Sequence, residues 1–148
     1  MVDVRDGDAS VRVRYAETDQ MGVVYHANYL VWFEIGRAEK IRSMGLDYRS
    51  LEAEGCMIAV AEARARYKAP ARYDDELIVR TRLSGLRGAI VRFRYEVVRR
   101  EDGVVLCTGE TVHVVVGRDM QKRSLPERYA RVFRKAVDAE HDEALVGE

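Results

Sequence analysis

Residues able to do acid–base or nucleophilic chemistry are concentrated in one stretch, Arg14–Tyr29. It contains two carboxylates, Glu17 and Asp19, together with a glycine, Gly22, and an imidazole, His26. A predicted helix follows directly, and backbone N–H groups at a helix start can hold an anion or a polarised carbonyl oxygen. The pattern therefore indicates a site in which Asp19 does the chemistry and the helix start receives the developing negative charge.

Each of these side chains also has a purely structural interpretation. Asp19 can close an Asx-turn, and Glu17 can be solvated or paired with an arginine. His26 can be a hydrogen-bond donor to a substrate or an ordinary residue at a helix start. Tyr25 and Tyr29 are typical of a core or pocket wall, which leaves them modest catalytic weight.

Other kinds of catalytic site find little support in the sequence. It contains no recognised Ser-His-Asp or Cys-His motif. A metal site built from Asp19, His26 and His113 matches no standard zinc spacing, so no metal is expected. His113 and His141 are expected to be ordinary sheet and tail residues.

The element that must position the site is a helix predicted over residues 30–44. Asn28 is the expected N-cap, and Gly45 stands where a left-handed residue would end the helix. Gly36 in the interior predicts a close backbone approach to the sheet or a ligand. The apolar stripe of this helix is predicted to consist of Leu30, Phe33, Ile41 and Met44.

Alternating apolar and polar residues predict five strands. Pro70 and its neighbouring aspartates indicate a loop, and Asp102-Gly103 indicates a hairpin turn. The order of strand, helix and four strands predicts an α+β fold, a mainly antiparallel sheet against one long helix. Such a sheet has exposed edges, which favour dimerisation. The predicted strands are 11–15, 59–67, 77–83, 91–97 and 104–116, the second with an alanine face for helix packing.

The chain of 148 residues is predicted to be one main domain over residues 11–123. Residues 1–10 are expected to form a flexible N-terminus. Residues 124–148 are expected to form a C-terminal helix and tail, opened by a capping box at Ser124–Glu127.

Composition excludes several classes of function. The 25 Lys and Arg residues balance the 25 Asp and Glu residues, which argues against non-specific nucleic-acid binding. No apolar run is long enough for a membrane span, and the acidic N-terminus does not resemble a signal peptide. Cys56 and Cys107 are expected to be buried thiols in a reducing compartment, so a cytoplasmic location is predicted.

The run Tyr15-x-Glu-Thr-Asp-x-Met-Gly-Val-Val-Tyr-His-x-Asn-Tyr29 resembles the signature of hotdog-fold acyl-CoA thioesterases of the 4-hydroxybenzoyl-CoA thioesterase type. It is most similar to the Tol–Pal-associated branch of that family. The segment Tyr67–Asp75 is similar to the family's second recurrent segment, and the resemblance covers about residues 11–126. It implies a hotdog fold, in which the sheet wraps the long helix, and assembly as homodimers or homotetramers.

The resemblance also implies roles for individual residues. Asp19 falls where the family places its catalytic carboxylate, which acts as nucleophile or as general base for water. Gly22 falls at the tight turn that lets the backbone approach the thioester. His26 lies at the helix start, where a backbone N–H polarises the thioester carbonyl. Together with Tyr25 it forms the Tyr-His pair of the branch in which the imidazole assists.

One departure concerns the cations that hold coenzyme A. Some members of the family carry several consecutive cations in the turn before the fourth strand, which grip the phosphates. This chain has only Arg87 there, followed by Gly88. Lys68, Arg72 or Arg92 are the expected substitutes.

The expected function is hydrolysis of a small or medium acyl-CoA to a free acid and coenzyme A, which is part of the substrate, with no metal or redox cofactor. The alternatives are a thioesterase acting on acyl-carrier protein and a non-catalytic acyl-CoA-binding protein of the same fold. A hotdog dehydratase is disfavoured, because its paired His and carboxylate pattern is not evident. The sequence leaves open the acyl group, dimer or tetramer, and nucleophilic or general-base catalysis.

Overall fold

The computed structural model describes residues 1–146, with side chains described up to residue 141. One five-stranded sheet, in the strand order β1-β3-β4-β5-β2, forms the body of the molecule. Neighbouring strands in it are all antiparallel. The α+β class and the order of strand, helix and four strands are as predicted. The strands are β1 (Ala9–Arg12), β2 (Met57–Tyr67), β3 (Glu76–Arg87), β4 (Ile90–Arg99) and β5 (Val105–Val116).

Helix α1 (Asn28–Ser43) packs on one face of the sheet, which we call the inner face. A Cβ at Gly36 would lie 2.6 Å from both Thr81 Oγ1 and Val79 Cγ1, so only glycine permits this approach. The close approach predicted at Gly36 is therefore confirmed. On the same face, the ring of Phe33 stacks on a tyrosine of β4 and covers Gly109 of β5, where a Cβ would overlap that ring.

The predicted apolar stripe of α1 is wrong at Leu30. This side chain is 41% exposed, whereas Tyr29 is only 3% exposed. Because the five residues after the first helical position, 29 to 33, are all apolar, spacing alone does not fix which of them faces the core. The buried residues of α1 are Tyr29, Trp32, Phe33, Gly36, Arg37 and Ile41.

The ends of α1 confirm one capping prediction and correct the other. Asn28 is the first helical residue, and the N-cap position belongs to Ala27. The Asn28 side-chain amide instead donates to the Glu17 carbonyl oxygen at 2.9 Å, which ties the helix start to the preceding loop. Gly45 has φ +83°, the left-handed conformation expected after the helix.

Strand β1 begins and ends earlier than the sequence predicts. It ends at Arg12 because the chain then turns into a 3₁₀ helix at Tyr15–Glu17. Its first two residues, Ala9 and Ser10, lie within the segment predicted to be a flexible terminus. Within that segment, the Val2 N–H also donates to the Arg100 carbonyl oxygen at 2.8 Å.

Strand β2 lies at one edge of the sheet. Its pairing with β5 shifts register between Val60 and Glu62, so a bulge interrupts the alternation predicted for residues 59–67. Ala61 and Ala63 are consequently exposed, and the predicted alanine face for helix packing is not formed.

The connection and the C-terminus each form a helix. A short helix α2 (Tyr48–Ala53) follows α1, and the long helix α3 (Glu127–Val146) ends the described chain. Because α3 starts three residues after Ser124, this serine is not its N-cap, and the predicted capping box is wrong. Residues 147 and 148, predicted to belong to the tail, lie outside the described residues.

Cys56 and Cys107 are both buried and unpaired, as predicted. Between residues 1 and 146, no helix is long and apolar enough to cross a membrane. In the same part of the chain, no group of three or more His, Cys, Asp and Glu side chains is placed to hold a metal ion.

Candidate active site

The loop between the 3₁₀ helix and α1 holds Asp19 in a tight turn. Its carboxylate accepts the Met21 N–H through Oδ1 at 2.8 Å, and its carbonyl accepts the Gly22 N–H at 3.0 Å. Gly22 has φ +78°, a conformation that favours glycine. Asp19 Oδ2 has no hydrogen-bond partner among the described residues. The Asx-turn and the reactive carboxylate are therefore compatible, because one oxygen closes the turn while the other stays available.

The start of α1 presents backbone N–H groups that have no acceptor among the described residues. The Asn28 N–H donates to the Tyr25 carbonyl at 3.0 Å, and the Tyr29 N–H donates to the His26 carbonyl at 3.3 Å. The N–H groups of His26 and Ala27, just before them, find no acceptor in the described chain. Donors of this kind, at the positive end of a helix dipole, can stabilise an oxyanion.

Aromatic rings surround this helix start. The rings of Tyr25 and His26 lie 4.5 Å apart, and Tyr67 of β2 lies 6.1 Å from His26. The Tyr67 hydroxyl donates to the His26 carbonyl at 3.1 Å, and its ring lies 5.3 Å from Tyr29. Sequence reasoning missed this role of Tyr67; the signal available was its place at the start of the recurrent segment Tyr67–Asp75.

Glu17 is a structural carboxylate, unlike its neighbour Asp19. It is only 7% exposed. One oxygen accepts the Arg14 N–H at 2.8 Å and lies 3.4 Å from the Arg14 guanidinium, which agrees with the predicted arginine pair. The other oxygen accepts the Trp32 indole N–H at 3.2 Å. Glu17 therefore anchors α1 to the loop, and Trp32 packs in the core, where it is 1% exposed.

Two further groups near the aromatic cluster are held neutral. Burial raises the pKa of the Cys107 thiol to about 11. Burial likewise raises the pKa of the Tyr29 hydroxyl to about 12. At neutral pH a thiol with such a pKa contributes almost no thiolate, the nucleophilic form. Asp19, in contrast, keeps a carboxylate oxygen without a hydrogen-bond partner among the described residues.

Of the four cations expected to bind substrate, the structure brings Lys68 and Arg72 close to the site loop. Arg92 instead forms an ion pair with Glu110 of β5 at 3.4 Å. The Val24 N–H donates to the Ala71 carbonyl at 2.9 Å, which places the connection carrying Lys68 and Arg72 against the loop. Arg87 lies elsewhere. Tyr67 shares a row across the sheet with Val79, and Arg87 is eight residues further along β3, roughly 25 Å at strand spacing. Arg87 therefore does not join Lys68 and Arg72 within one chain.

A buried polar chain beneath α1 was also missed by sequence reasoning. The Arg37 guanidinium donates to the Tyr95 hydroxyl at 3.2 Å, and this hydroxyl lies 2.5 Å from Thr111 Oγ1. Thr111 in turn lies 2.7 Å from Nε2 of His113, a residue that is 0% exposed. Burial, and secondarily the Arg37 charge, lowers the pKa of His113 to about 4. His113 is thus a neutral core residue, in line with the prediction that it is an ordinary sheet residue.

A comparison with protein families decides the identity of this arrangement. The model of the thioesterase-like superfamily matches residues 13–139, which include the loop, the helix start and the whole sheet beyond β1. The chain belongs to this superfamily. It has the hotdog fold and is a thioester hydrolase.

Individual members of the superfamily are similar over most of their length. The acyl-CoA thioester hydrolase YbgC of Escherichia coli is 34% identical over 125 residues, which are 84% of this chain and 93% of that protein. The acyl-CoA thioesterase YbgC of Haemophilus influenzae is 33% identical over 124 residues, 83% of this chain and 90% of the other.

Solved structures give the same result. The hypothetical protein TT1821 from Thermus thermophilus is 39% identical, with a TM-score of 0.82 over 87% of this chain and 98% of that chain. The DHNA-CoA thioesterase from Staphylococcus aureus is 29% identical, with a TM-score of 0.83 over 95% of this chain and 94% of that chain.

Proposed function

We propose that this thioester hydrolase acts on a small or medium acyl-CoA, releasing a free acid and coenzyme A, with Asp19 as the reactive carboxylate. The observation that carries the proposal is the pairing of two features in one loop. Within residues 1–146, Asp19 keeps one oxygen unpartnered in the turn at Gly22, and His26 and Ala27 offer N–H groups without acceptors at the start of α1. The names of the similar YbgC and DHNA-CoA proteins support acyl-CoA as the substrate class.

The chemistry requires a carbonyl that is polarised and an oxygen that attacks. The thioester oxygen would accept from the N–H groups at the helix start, which stabilise the negative charge that develops there. Asp19 would either attack the carbonyl carbon, giving an anhydride that water then opens, or take a proton from an attacking water. In both routes coenzyme A leaves as the thiolate. His26 and Tyr25 would contact the thioester from the side, where their rings already lie 4.5 Å apart, tilted by 55° to each other.

The phosphates of coenzyme A need cations within reach of this loop. Lys68 and Arg72 are exposed, and their side chains have no ion-pair partner among the described residues. We therefore assign them to the phosphates of a substrate bound in the same chain. Arg87 would reach such a substrate only from another copy of the chain, given its place at the far end of β3.

A homo-oligomer fits the exposed surfaces of the chain. β2 offers one edge of 11 residues with no strand beyond it in the described fold. Val31 and Ile35, one turn apart on α1, are 53% and 43% exposed. We propose that a second copy covers these surfaces, as a homodimer or within a homotetramer. The Tol–Pal-associated branch is proposed on the Tyr25-His26 motif alone, and the cytoplasmic location stays a prediction.

The test is an Asp19→Asn variant assayed for thiol release against acyl-CoAs of different chain length and an aromatic acyl-CoA. Asparagine keeps the oxygen that accepts the Met21 N–H, so the turn should persist. We expect kcat to fall by about 10²- to 10⁴-fold, the range for losing a general base.

The matched control is Asp47→Asn. Asp47 also caps a turn, since its carboxylate accepts the Ser50 N–H at 2.7 Å, but it lies at the start of α2. If the two variants retained similar activity, Asp19 would be a turn residue only. Release of thiol from acyl-carrier protein but from no acyl-CoA would instead overturn the assignment of the substrate class.

A further inference from the structure

The outer face of the sheet, opposite α1, carries an arginine-lined groove that contains none of the residues assigned above to the hydrolytic site. Side chains alternate along a strand, so Val79 and Thr81, which contact α1, place Arg80 and Arg82 on the outer face. The groove has a volume of about 580 Å³. Its arginines are Arg5, Arg64, Arg66, Arg80, Arg82 and Arg94, and its carboxylates are Glu96 and Glu110.

Two rows of paired residues across four strands form the floor of the groove. The first row runs Arg82, Arg94, Glu110 and Arg64, and the second runs Arg80, Glu96, Thr108 and Arg66. Three strand spacings make each row about 14 Å long, and the rows lie about 7 Å apart. Guanidinium groups therefore stand at both ends of a recess that is long enough for a nucleotide.

The positive charge in the groove is poorly compensated. Arg94 lies 3.8 Å from Glu110, which also pairs with Arg92 at 3.4 Å. Arg80 Nε lies 3.6 Å from Asp8, beyond hydrogen-bond length, and Arg80 Nη2 donates to the neutral carbonyl of Asp3 at 3.3 Å. Arg64, Arg66 and Arg82 form no ion pair in the described part of the chain. Arg82 and Arg94 also face each other directly across β3 and β4. Like charges in that position destabilise a sheet, and an anion bound between them would remove the repulsion.

The groove favours a small anionic ligand over a macromolecule. A second copy of the same face would bring six more arginines and only two more glutamates, so self-association here is repulsive. The two rows cover on the order of 100 Å² of sheet, far below the roughly 800 Å² per partner of a stable protein interface. The volume, in contrast, lies within the roughly 300–1,000 Å³ of small-molecule sites.

The type of cation in the groove indicates the chemical class of the ligand more closely. All six cations are arginines, whose planar guanidinium groups bind phosphate oxygens in pairs. Glu96 and Glu110, between the arginines, can accept hydrogen bonds from sugar hydroxyls or base amino groups. We propose that this groove binds a phosphorylated nucleoside at a site separate from Asp19. The nucleotide is either a free one or the nucleotide part of coenzyme A.

Isothermal titration calorimetry of the full chain at low salt tests the proposal without any turnover. The probes are ADP and ATP, with adenosine as the ligand that lacks phosphate. We expect ADP and ATP to bind and adenosine to bind at least tenfold more weakly.

The double variant Arg82→Gln/Arg94→Gln should weaken ADP binding at least tenfold, since the loss of one charge-assisted hydrogen bond changes an affinity by about that factor. The matched control is Arg49→Gln/Arg131→Gln, two exposed arginines outside the groove.

Equal ADP affinity in the two double variants would overturn the proposal. The proposal would also be wrong if ADP bound no more tightly than adenosine. It would be wrong, too, if an acidic peptide, hexaglutamate, bound to the groove and ADP did not. A second measurement, which rests on the proposed acyl-CoA activity, separates the two sources of the nucleotide. If the groove variant raises KM for an acyl-CoA but not for the matching acyl-pantetheine, the ligand is the nucleotide of coenzyme A. If ADP binding is lost and KM is unchanged, the ligand is a free nucleotide.

Discussion

Two carboxylates that are two residues apart in the sequence have different surroundings in the fold. Glu17 is buried, and both of its oxygens accept hydrogen bonds, from Arg14 and from Trp32. Asp19 is half-buried, and within the described residues its carboxylate accepts one hydrogen bond, from the Met21 N–H of the same turn. A carboxylate saturated with donors stabilises structure, whereas one with a free oxygen can react. The chemistry therefore belongs to Asp19, and Glu17 holds the loop that carries it.

We predict that Glu17→Gln lowers stability more than it lowers activity. In the variant, the side-chain NH₂ group would face one of the N–H groups that donate to Glu17, so a buried polar group would lack a partner. This should lower the free energy of unfolding by about 1–3 kcal/mol. Urea denaturation measures this loss, and kcat per folded molecule should stay within a fewfold of the parent. Glu39→Gln is the control, because Glu39 forms only an exposed pair with Arg42 and should change stability by less than about 0.5 kcal/mol. A loss of kcat matching that of Asp19→Asn would show that Glu17 takes part in the chemistry.

At the residue scale the sequence was informative where the motif is local. The turn at Asp19 and Gly22 and the start of α1 lie within ten residues, so their order along the chain places them together. The missed contacts come from distant segments. Tyr67 reaches His26 across 41 positions, and Tyr95 reaches Arg37 across 58. The local spacing of residues does not predict these contacts, because they depend on which strands pair.

At the scale of elements, the strands were predictable and the rotation of α1 was not. β3 and β4 each bury one side and expose arginines on the other over most of their length, so alternation located them within a few residues. In α1, residues 29–33 are all apolar, and any of several rotations would bury part of them. Contacts outside the helix fix its rotation, because Trp32 donates to Glu17 and Gly36 packs against β3.

The close contact between α1 and β3 gives a prediction for Gly36→Ala. In a solvent-exposed helix this change would stabilise by about 1 kcal/mol. Here the new Cβ would meet Thr81 and Val79 at 2.6 Å, so the helix must move off the sheet, at a cost of about 1–3 kcal/mol. We therefore expect net destabilisation, measured by thermal and urea unfolding.

Gly88→Ala separates crowding from backbone strain. Gly88 has φ +60° and nothing within 4 Å of the site of a Cβ, so its substitution adds strain without a clash. We expect Gly88→Ala to lower the stability slightly, through backbone strain in the turn, and to leave kcat unchanged. Gly36→Ala should also lower kcat, because the N–H groups of His26 and Ala27 directly precede α1 and would move with it. A stabilised Gly36→Ala protein would refute the tight packing of α1 on β3.

At the scale of the whole molecule, the buried His113 makes stability depend on pH. Its pKa is about 4 in the folded chain, against 6.5 when unfolded, so the unfolded chain binds the extra proton between these values. The stabilisation is complete above pH 6.5 and is lost as pH falls from there towards 4. The loss is on the order of 3 kcal/mol, from about 1.4 kcal/mol per pKa unit. Urea midpoints at pH 7.5, 6, 5 and 4 should show it, and His113→Gln should flatten the profile. An unchanged profile in that variant would assign the pH dependence to other groups.

The final prediction concerns assembly, because α1 and β2 each leave an apolar or unpaired surface in a single chain. Val60 on the edge strand is 55% exposed, and Val31 on α1 is 53% exposed. Unpaired strand edges and clustered apolar side chains both favour association with another chain. Light scattering of the purified protein should therefore give a mass of at least two chains.

Val60→Asp and Val31→Asp should each shift the mass towards the monomer, since burying an unpaired carboxylate in an interface is strongly unfavourable. Val4→Asp is the control, because Val4 is 42% exposed and lies on neither surface. A monomeric parent protein at micromolar concentration would exclude the assembly, and activity in that monomer would show that one chain contains the whole site.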